Sequence, residues 1–251
     1  MRLLLADSPV TDAPTLGSGL EDAALAAAYA VPRTSRRWLR ANFACSVDGS
    51  VTGANGQSGS INTEADHIVF ELLRALSDVV VVGAGTARQE GYPALTVDDR
   101  WRAARADAGL SPALPLVVVS ARGQVPPRLV EAEGGTVLLV THGGSEGLDS
   151  AREQLGTEHV LVCGQGHVDL VGLMDELAER GWTRALTEGG PRLLGSFLAA
   201  GLVDELCLSV TPRVVVGDGP RISTGGGRDD AFTPRVLVEQ DGTLMGRWLR
   251  A

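Results

Sequence analysis

Glu188 ends the strand-like run RALTE and is followed at once by Gly189, Gly190 and Pro191, then by the helix-like stretch LLGSFLAAG. An acid at the end of an apolar strand is partly buried, and such a carboxylate can orient a substrate amine or assist proton transfer. Gly189 and Gly190 free the backbone, Pro191 suits the first helical position, and the amides of Arg192, Leu193, Leu194, Gly195 and Ser196 then face whatever lies above. Gly195 allows close contact there, and a helix start of this kind favours phosphate. A second glycine turn follows the run VVVVGAGTARQE: Gly83 and Gly85 let the backbone approach a ligand, and Thr86 can bond one of its oxygens. Each turn alone also fits plain strand–turn–helix punctuation. Two together fit what a dinucleotide pyrophosphate needs.

Neither turn has the spacing G-x-G-x-x-G, Arg88 standing at the last position of the first, and no acid stands about twenty residues on at the end of a second strand to hold a ribose 2′-hydroxyl. The run PLVVVS instead ends in Ser120, with Arg122 two residues later. A serine with an arginine can hold a 2′-phosphate, which leans towards NADPH over NADH; an ordinary exposed loop arginine fits the same residues. The segment Ser46-Val47-Asp48-Gly49 offers Asp48 as a second candidate catalytic acid, or a common Asp-Gly turn. The four histidines have no metal-ligand spacing. Cys45, Cys163 and Cys207 are far apart with no C-x-x-C, so they read as small buried residues, and no metal is expected.

The elements that must hold these turns follow from composition and periodicity. The chain has 251 residues, 44% of them hydrophobic, with 32 glycines, which fits one domain with a Val/Leu/Ala core and many turns. All 22 basic residues are arginine. Without lysine, Schiff-base chemistry, a phosphate-loop lysine and serine–lysine dyads are excluded, while arginine still serves anionic ligands. A net charge of −9 with no basic stripe argues against nucleic acid and anionic membranes as partners. The opening MRLLLADSPV lacks a signal-peptide pattern and no apolar run is long enough to span a bilayer, so a cytoplasmic location is expected.

Residues 1–37 read as a lead-in that packs on the main body, with a helix over Glu21–Ala30. WLRANFACS reads as a strand before a long glycine-rich loop. Thr63 with Asp66 fits a capping box, ahead of a helix with Ile68, Val69, Leu72, Leu73 and Leu76 on one face. DVVVVG, PLVVVS, TVLLVT and HVLVC are all-apolar runs of the kind buried on both faces of a parallel sheet. A helix over Val168–Arg180 closes at Gly181, and the tail is strand after strand, suggesting antiparallel pairing. The expected fold is α/β: a mostly parallel central sheet flanked by helices, with an antiparallel C-terminal edge.

SVDGSVTG, LLRALSD, VVVVGAGTARQE with PALTV, and TEGGPRLLGSFLAAGLVDELCLSVTPRVVVGDG together resemble, in that order, the reductase domain of riboflavin-biosynthesis deaminase/reductases. That domain is similar to dihydrofolate reductase in fold. The resemblance runs from about Trp38 to the C-terminus. It implies NADPH-dependent reduction of the ribose of 5-amino-6-(5-phosphoribosylamino)uracil to a ribityl chain, on a homodimer. It places Ala44, Ser60, Thr86, Glu90, Ser120 and Gly190 to Ser196 beside NADPH. Ser58, Arg74, Leu95 and Glu188 would face the small heterocyclic substrate, Arg74 suited to its phosphate and Glu188 to the pyrimidine's polar edge. The zinc deaminase pattern (H-x-E with P-C-x-x-C) is absent. Asn42 stands where the family often has lysine, and Val97 and Asp98 follow PALT where an arginine is common. Within the same fold, a dihydrofolate or pterin reductase is the alternative; a non-catalytic NADP-binding sensor is the alternative of another class.

Overall fold

The computed structural model describes residues 1–6, 17, 19–32, 36–130 and 135–251. Its elements are β1 (Arg2–Ala6), α1 (Asp22–Ala28), β2 (Trp38–Ser46), α2 (Glu64–Ala75), β3 (Val79–Gly83), α3 (Ala84–Glu90), α4 (Arg102–Asp107), β4 (Leu116–Val119) and α5 (Pro127–Val130). There follow β5 (Val137–Thr141), α6 (Leu148–Leu155), β6 (Val160–Val162), α7 (Leu170–Glu179), β7 (Arg184–Thr187), α8 (Pro191–Ala199), β8 (Glu205–Thr211), β9 (Phe232–Gln240) and β10 (Thr243–Arg250). The polar stretch of the lead-in over 7–16 lies outside the described residues.

All ten strands form one sheet in the order β1-β9-β10-β8-β2-β7-β3-β4-β5-β6. The run from β8 to β6 is parallel, and β10, β9 and β1 complete it as an antiparallel edge, so the expected α/β class is the observed one. The outermost strand on that side is β1, paired with β9 from Arg2 opposite Glu239 to Ala6 opposite Val236.

Alternate residues of the central strands feed two cores. Val80, Val82, Leu116, Val118, Leu139 and Leu186 face the side covered by α1, α2, α3 and α6. Val79, Val81, Val117, Leu138, Val140 and Ala185 face α7 and α8. This is why β3 is an unbroken apolar run: both of its faces are covered. In α2, Val69, Leu72 and Leu73 are buried at the expected helical spacing. Gly181, at φ +81°, closes α7 as its position suggested. Cys45, Cys163 and Cys207 are free and buried.

The capping box is half realised. Thr63 Oγ1 accepts from the Asp66 amide at 3.2 Å, but the Asp66 carboxyl is bonded to the Ser209 hydroxyl instead of reaching back. The connection from β2 to β3 passes over one strand position, which β7 fills after about a hundred further residues. Such a gap between consecutive strands opens a crevice at the carboxyl ends, the place where α/β sheets bind ligands.

Candidate functional site

The crevice is a cleft of about 600 Å³ at the carboxyl ends of β2, β7 and β3, closed above by the exposed side of α2 and by the segment from α3 to Asp98. It gathers Ala44, Ser58, Arg74, Thr86, Glu90, Leu95, Glu188, Gly190 and Pro191, residues from widely separated stretches of sequence.

The two glycine turns form one unit. The Gly83 amide donates to the Gly189 carbonyl at 2.7 Å, and a Cβ on Gly83 would stand 3.6 Å from the Gly190 amide nitrogen. A Cβ on Gly190 would come within 2.6 Å of Thr86 Oγ1. Gly189 has φ +104°, a conformation that favours glycine. Gly190 is the N-cap of α8 with no side chain capping it, and Pro191 occupies the first turn as expected. Gly190 and Pro191 line the cleft, and no side chain caps this helix start.

Glu188 is buried, and its carboxylate is held on both oxygens. Arg74 Nε donates to Oε1 at 2.7 Å and Arg74 Nη2 to Oε2 at 2.9 Å; the Tyr92 hydroxyl adds a bond to Oε2 at 2.7 Å. Arg74 Nη1 reaches Glu71 at 3.3 Å, and its guanidinium lies 4.1 Å from the centre of the Phe70 ring. Burial works against the Arg74 charge, but the facing Glu188 carboxylate outweighs it and holds the group above its ordinary value. Arg74 thus lines the cleft, as expected, and is paired there with Glu188. Burial raises the Tyr92 hydroxyl well above its ordinary value, and the neighbouring Glu188 charge adds to this, so it stays a donor.

Several other expected site residues lie elsewhere or face away. Asp48 is exposed and outside the cleft; its carboxylate accepts from the Ser46 hydroxyl and the Val215 amide. Those two bonds hold it below its ordinary value and fasten the end of β2 to the 213–220 loop, the work of a turn acid. Ser60 bonds within its own loop to Asn55 and Gln57, while Ser58 bonds Glu90 across the cleft mouth at 2.8 Å. Ser120 is buried and bonded to the Gln124 carbonyl; Arg122 is exposed beyond the end of β4. Gly85 is open, with nothing within 4 Å of a built Cβ. Leu193 and Leu194 point into the core, and Ser196 bonds back to the Arg192 carbonyl. Gly195 does not face the cleft: a Cβ there would run into the Thr224 carbonyl, so the glycine serves packing.

The cleft also holds Phe70, Glu71 and Tyr92, which the sequence did not single out, together with Asn42 and with Asp66, which the sequence offered only as a helix cap. For Asp66 a signal existed. It stands at i, i+3 and i+7 with Val69 and Leu73, an acid on the apolar face of a helix. Burial raises the Asp66 carboxyl above its ordinary value, with the Ser209 hydroxyl partly opposing. An acid whose folded value is raised contributes stability below its unfolded value of 3.8, and that contribution is lost as pH rises through the folded value. Asp66→Asn is therefore expected to raise the melting temperature at pH 7 by about 2–4 °C, with the gain vanishing near pH 4 in a thermal-melt series.

A doubly covered α/β sheet with two joined glycine turns and a buried carboxylate at its strand ends defines an α/β protein with a cleft of small-molecule size. The chain belongs to the RibD C-terminal domain family, whose model matches residues 37–243. It is 32% identical over 209 residues to a protein of Archaeoglobus fulgidus named 2,5-diamino-6-ribosylamino-4(3H)-pyrimidinone 5′-phosphate reductase, covering 82% of this chain and 92% of that one. A protein of the same name from Methanothermobacter thermautotrophicus is 30% identical over 206 residues, covering 81% and 91%. The riboflavin biosynthesis protein RibD of Escherichia coli is 31% identical over 200 residues, 76% of this chain but 53% of that longer protein. In structure the chain resembles a pyrimidine reductase-like protein from Corynebacterium diphtheriae, with a TM-score of 0.79 at 23% identity, covering 90% and 98%. Among the described residues no helix is long and apolar enough to cross a membrane.

Proposed function

We propose that the protein is an NADPH-dependent reductase of a ribosylaminopyrimidine, converting the ribosyl group to a ribityl chain. The observation that carries this reading is the joining of the two glycine turns beside the Glu188–Arg74–Tyr92 group in one cleft. It is supported by the names of the archaeal relatives, which favour this substrate class over dihydrofolate or a pterin. NADPH when bound supplies hydride to the ribosyl carbon, with a proton completing the two-electron reduction.

The chain's own residues bind and orient. The cradle of Gly83, Thr86, Gly190 and Pro191 fits the cofactor's phosphates: the helix start is uncapped and a side chain at Gly190 would fill the space. Ala44 and Glu90 border the same cleft. Arg122 beyond β4 is the candidate for the 2′-phosphate. Glu188, fixed by Arg74 and Tyr92, presents a rigid anionic edge towards substrate amino groups, and Asp66 is the acid suited to holding a proton inside the cleft. A homodimer in the cytoplasm is part of the same proposal.

NADPH oxidation followed at 340 nm separates the candidates. Turnover with the ribosylaminouracil and none with dihydrofolate is the expected result; turnover with dihydrofolate alone would move the assignment to that substrate. NADPH binding with turnover of neither would favour a sensor. Arg122→Ala is expected to weaken NADPH binding about tenfold while leaving NADH unchanged, since only NADPH carries the 2′-phosphate. Equal weakening of both would remove Arg122 from the cofactor site.

A further inference from the structure

Three acids are buried among the described residues. Glu188 is paired with Arg74, and Glu205 with Arg40 and Arg247. Asp66 has no arginine. Its carboxyl is bonded to the Ser209 hydroxyl, and the exposed His67, the next residue of α2, is the basic group that favours its charge. Buried carboxylates are ordinarily matched by a cation or by several donors. Keeping an unmatched one costs stability, a sacrifice typical of places where a ligand supplies the missing donors. Asp66 lines the cleft, with Phe70 one helical turn further on.

The sheet order decides which part of a substrate supplies those donors. Glu188 and the joined glycine turns lie at the ends of β7 and β3, whereas Ser209 lies on β8, with β2 alone between β7 and β8. Two strand spacings are about 10 Å, roughly the width of one six-membered ring with a hydrogen bond on either side. The ribosyl carbon must sit beside the cofactor, so the ring edge that carries the 5-amino group and the ribosylamino nitrogen faces Glu188. The opposite edge, ring nitrogen 3 and carbon 2, then faces Asp66. An ionised carboxylate accepts two parallel bonds from an N–H and an adjacent amino group, whereas a carbonyl at carbon 2 sets oxygen against oxygen.

We infer that Asp66 reads this edge of the substrate ring and selects a 2-amino-4-oxopyrimidine over its deaminated 2,4-dioxo counterpart. The inference rests on the reductase reading above. Both compounds keep the ribosyl 5′-phosphate, so the selection is independent of that end of the substrate.

The test compares the two 5′-phosphates, the ribosylated diaminopyrimidinone and the ribosylaminouracil, by calorimetric binding and by NADPH oxidation, in the unaltered protein and in Asp66→Asn. The unaltered protein is expected to bind the 2-amino compound about tenfold or more tightly, with a correspondingly higher kcat/KM. An asparagine offers one acceptor and one donor, which fits the 2,4-dioxo edge, so Asp66→Asn is expected to reverse the order. A purely structural Asp66 would move the melting temperature and leave the ratio where it is. Equal binding or preference for the uracil in the unaltered protein, or a ratio unmoved by Asp66→Asn, would overturn the inference; NADPH oxidation with either compound would still uphold the reductase reading. The expected preference and its reversal with no NADPH oxidation would support the edge selection and overturn the reductase reading. Binding of neither compound would overturn both.

Discussion

Glu188→Gln is expected to lower kcat/KM about a hundredfold and the melting temperature by about 10 °C, while NADPH affinity stays within about twofold. The substitution keeps the shape and removes the charge that Arg74 grips with two hydrogen bonds. Arg74 is mostly buried and would keep only Glu71, at 3.3 Å, as a counter-charge; losing one partner of a buried pair typically costs about 3–5 kcal/mol. For a chain of this size each kcal/mol moves the melting temperature by about 2–4 °C. The activity loss has a separate origin, because a neutral amide held by Tyr92 alone no longer presents a fixed anionic edge. Tyr92→Phe removes one charge-assisted bond and should cost only about 1.5–3 kcal/mol, with a smaller loss of activity. If Glu188→Gln instead abolished NADPH binding, Glu188 would belong to the cofactor half of the cleft.

Glu205→Gln is expected to produce a comparable fall in melting temperature and no change in KM. Glu205 is fully buried, and no cleft residue contacts its carboxylate. Oε1 accepts from Arg40 Nε at 2.7 Å and Arg247 Nε at 2.9 Å; Oε2 accepts from Trp38 Nε1 at 2.9 Å and Arg247 Nη2 at 3.2 Å. The same arginines bond the carbonyls of Ala28, Tyr29 and Ala30, so this carboxylate ties β2, β8 and β10 to the end of α1. Losing it leaves two guanidinium groups around a neutral amide, again about 3–5 kcal/mol. Burial pushes the Glu205 carboxyl up, but Arg40 and Arg247 outweigh it and hold the acid below its ordinary value. A lowered folded value means the stabilisation is complete above the unfolded value of 4.5 and is lost as pH falls through the folded value. The stability difference between the two proteins should therefore be full at pH 7 and shrink below about pH 4.5. A difference that grows on acidification would contradict this assignment.

These two acids show where the sequence was legible. Local patterns carried the elements: β2 over Trp38–Ser46, the doubly buried run of β3, Pro191 opening α8 and Gly181 closing α7 all have local causes in periodicity, φ preference or capping. The partners of Glu188 and Glu205 have no local cause. Arg74 lies 114 residues before Glu188, and Arg40 lies 165 residues before Glu205. Each pair exists because β7 enters beside β3 and β8 beside β2, an order that no hydrophobic period encodes. The edge pairing of β1 with β9 was unreadable for the same reason. Gly195 and Asp48 were misplaced for a different one. A glycine in a cradle and a glycine packed on a carbonyl look alike in sequence, as do a catalytic acid and a turn acid.

The central claim is that this cleft carries hydride from NADPH to the ribosyl carbon of an aminopyrimidine. The most direct measurement is mass spectrometry of the product formed from the ribosylaminouracil and NADPH deuterated at the nicotinamide C4 position, using the C4 epimers separately. The account predicts a ribityl product carrying one deuterium on the former anomeric carbon, from one epimer only. Failure to form ribityl product, or product with no deuterium at that carbon from either epimer, would contradict it.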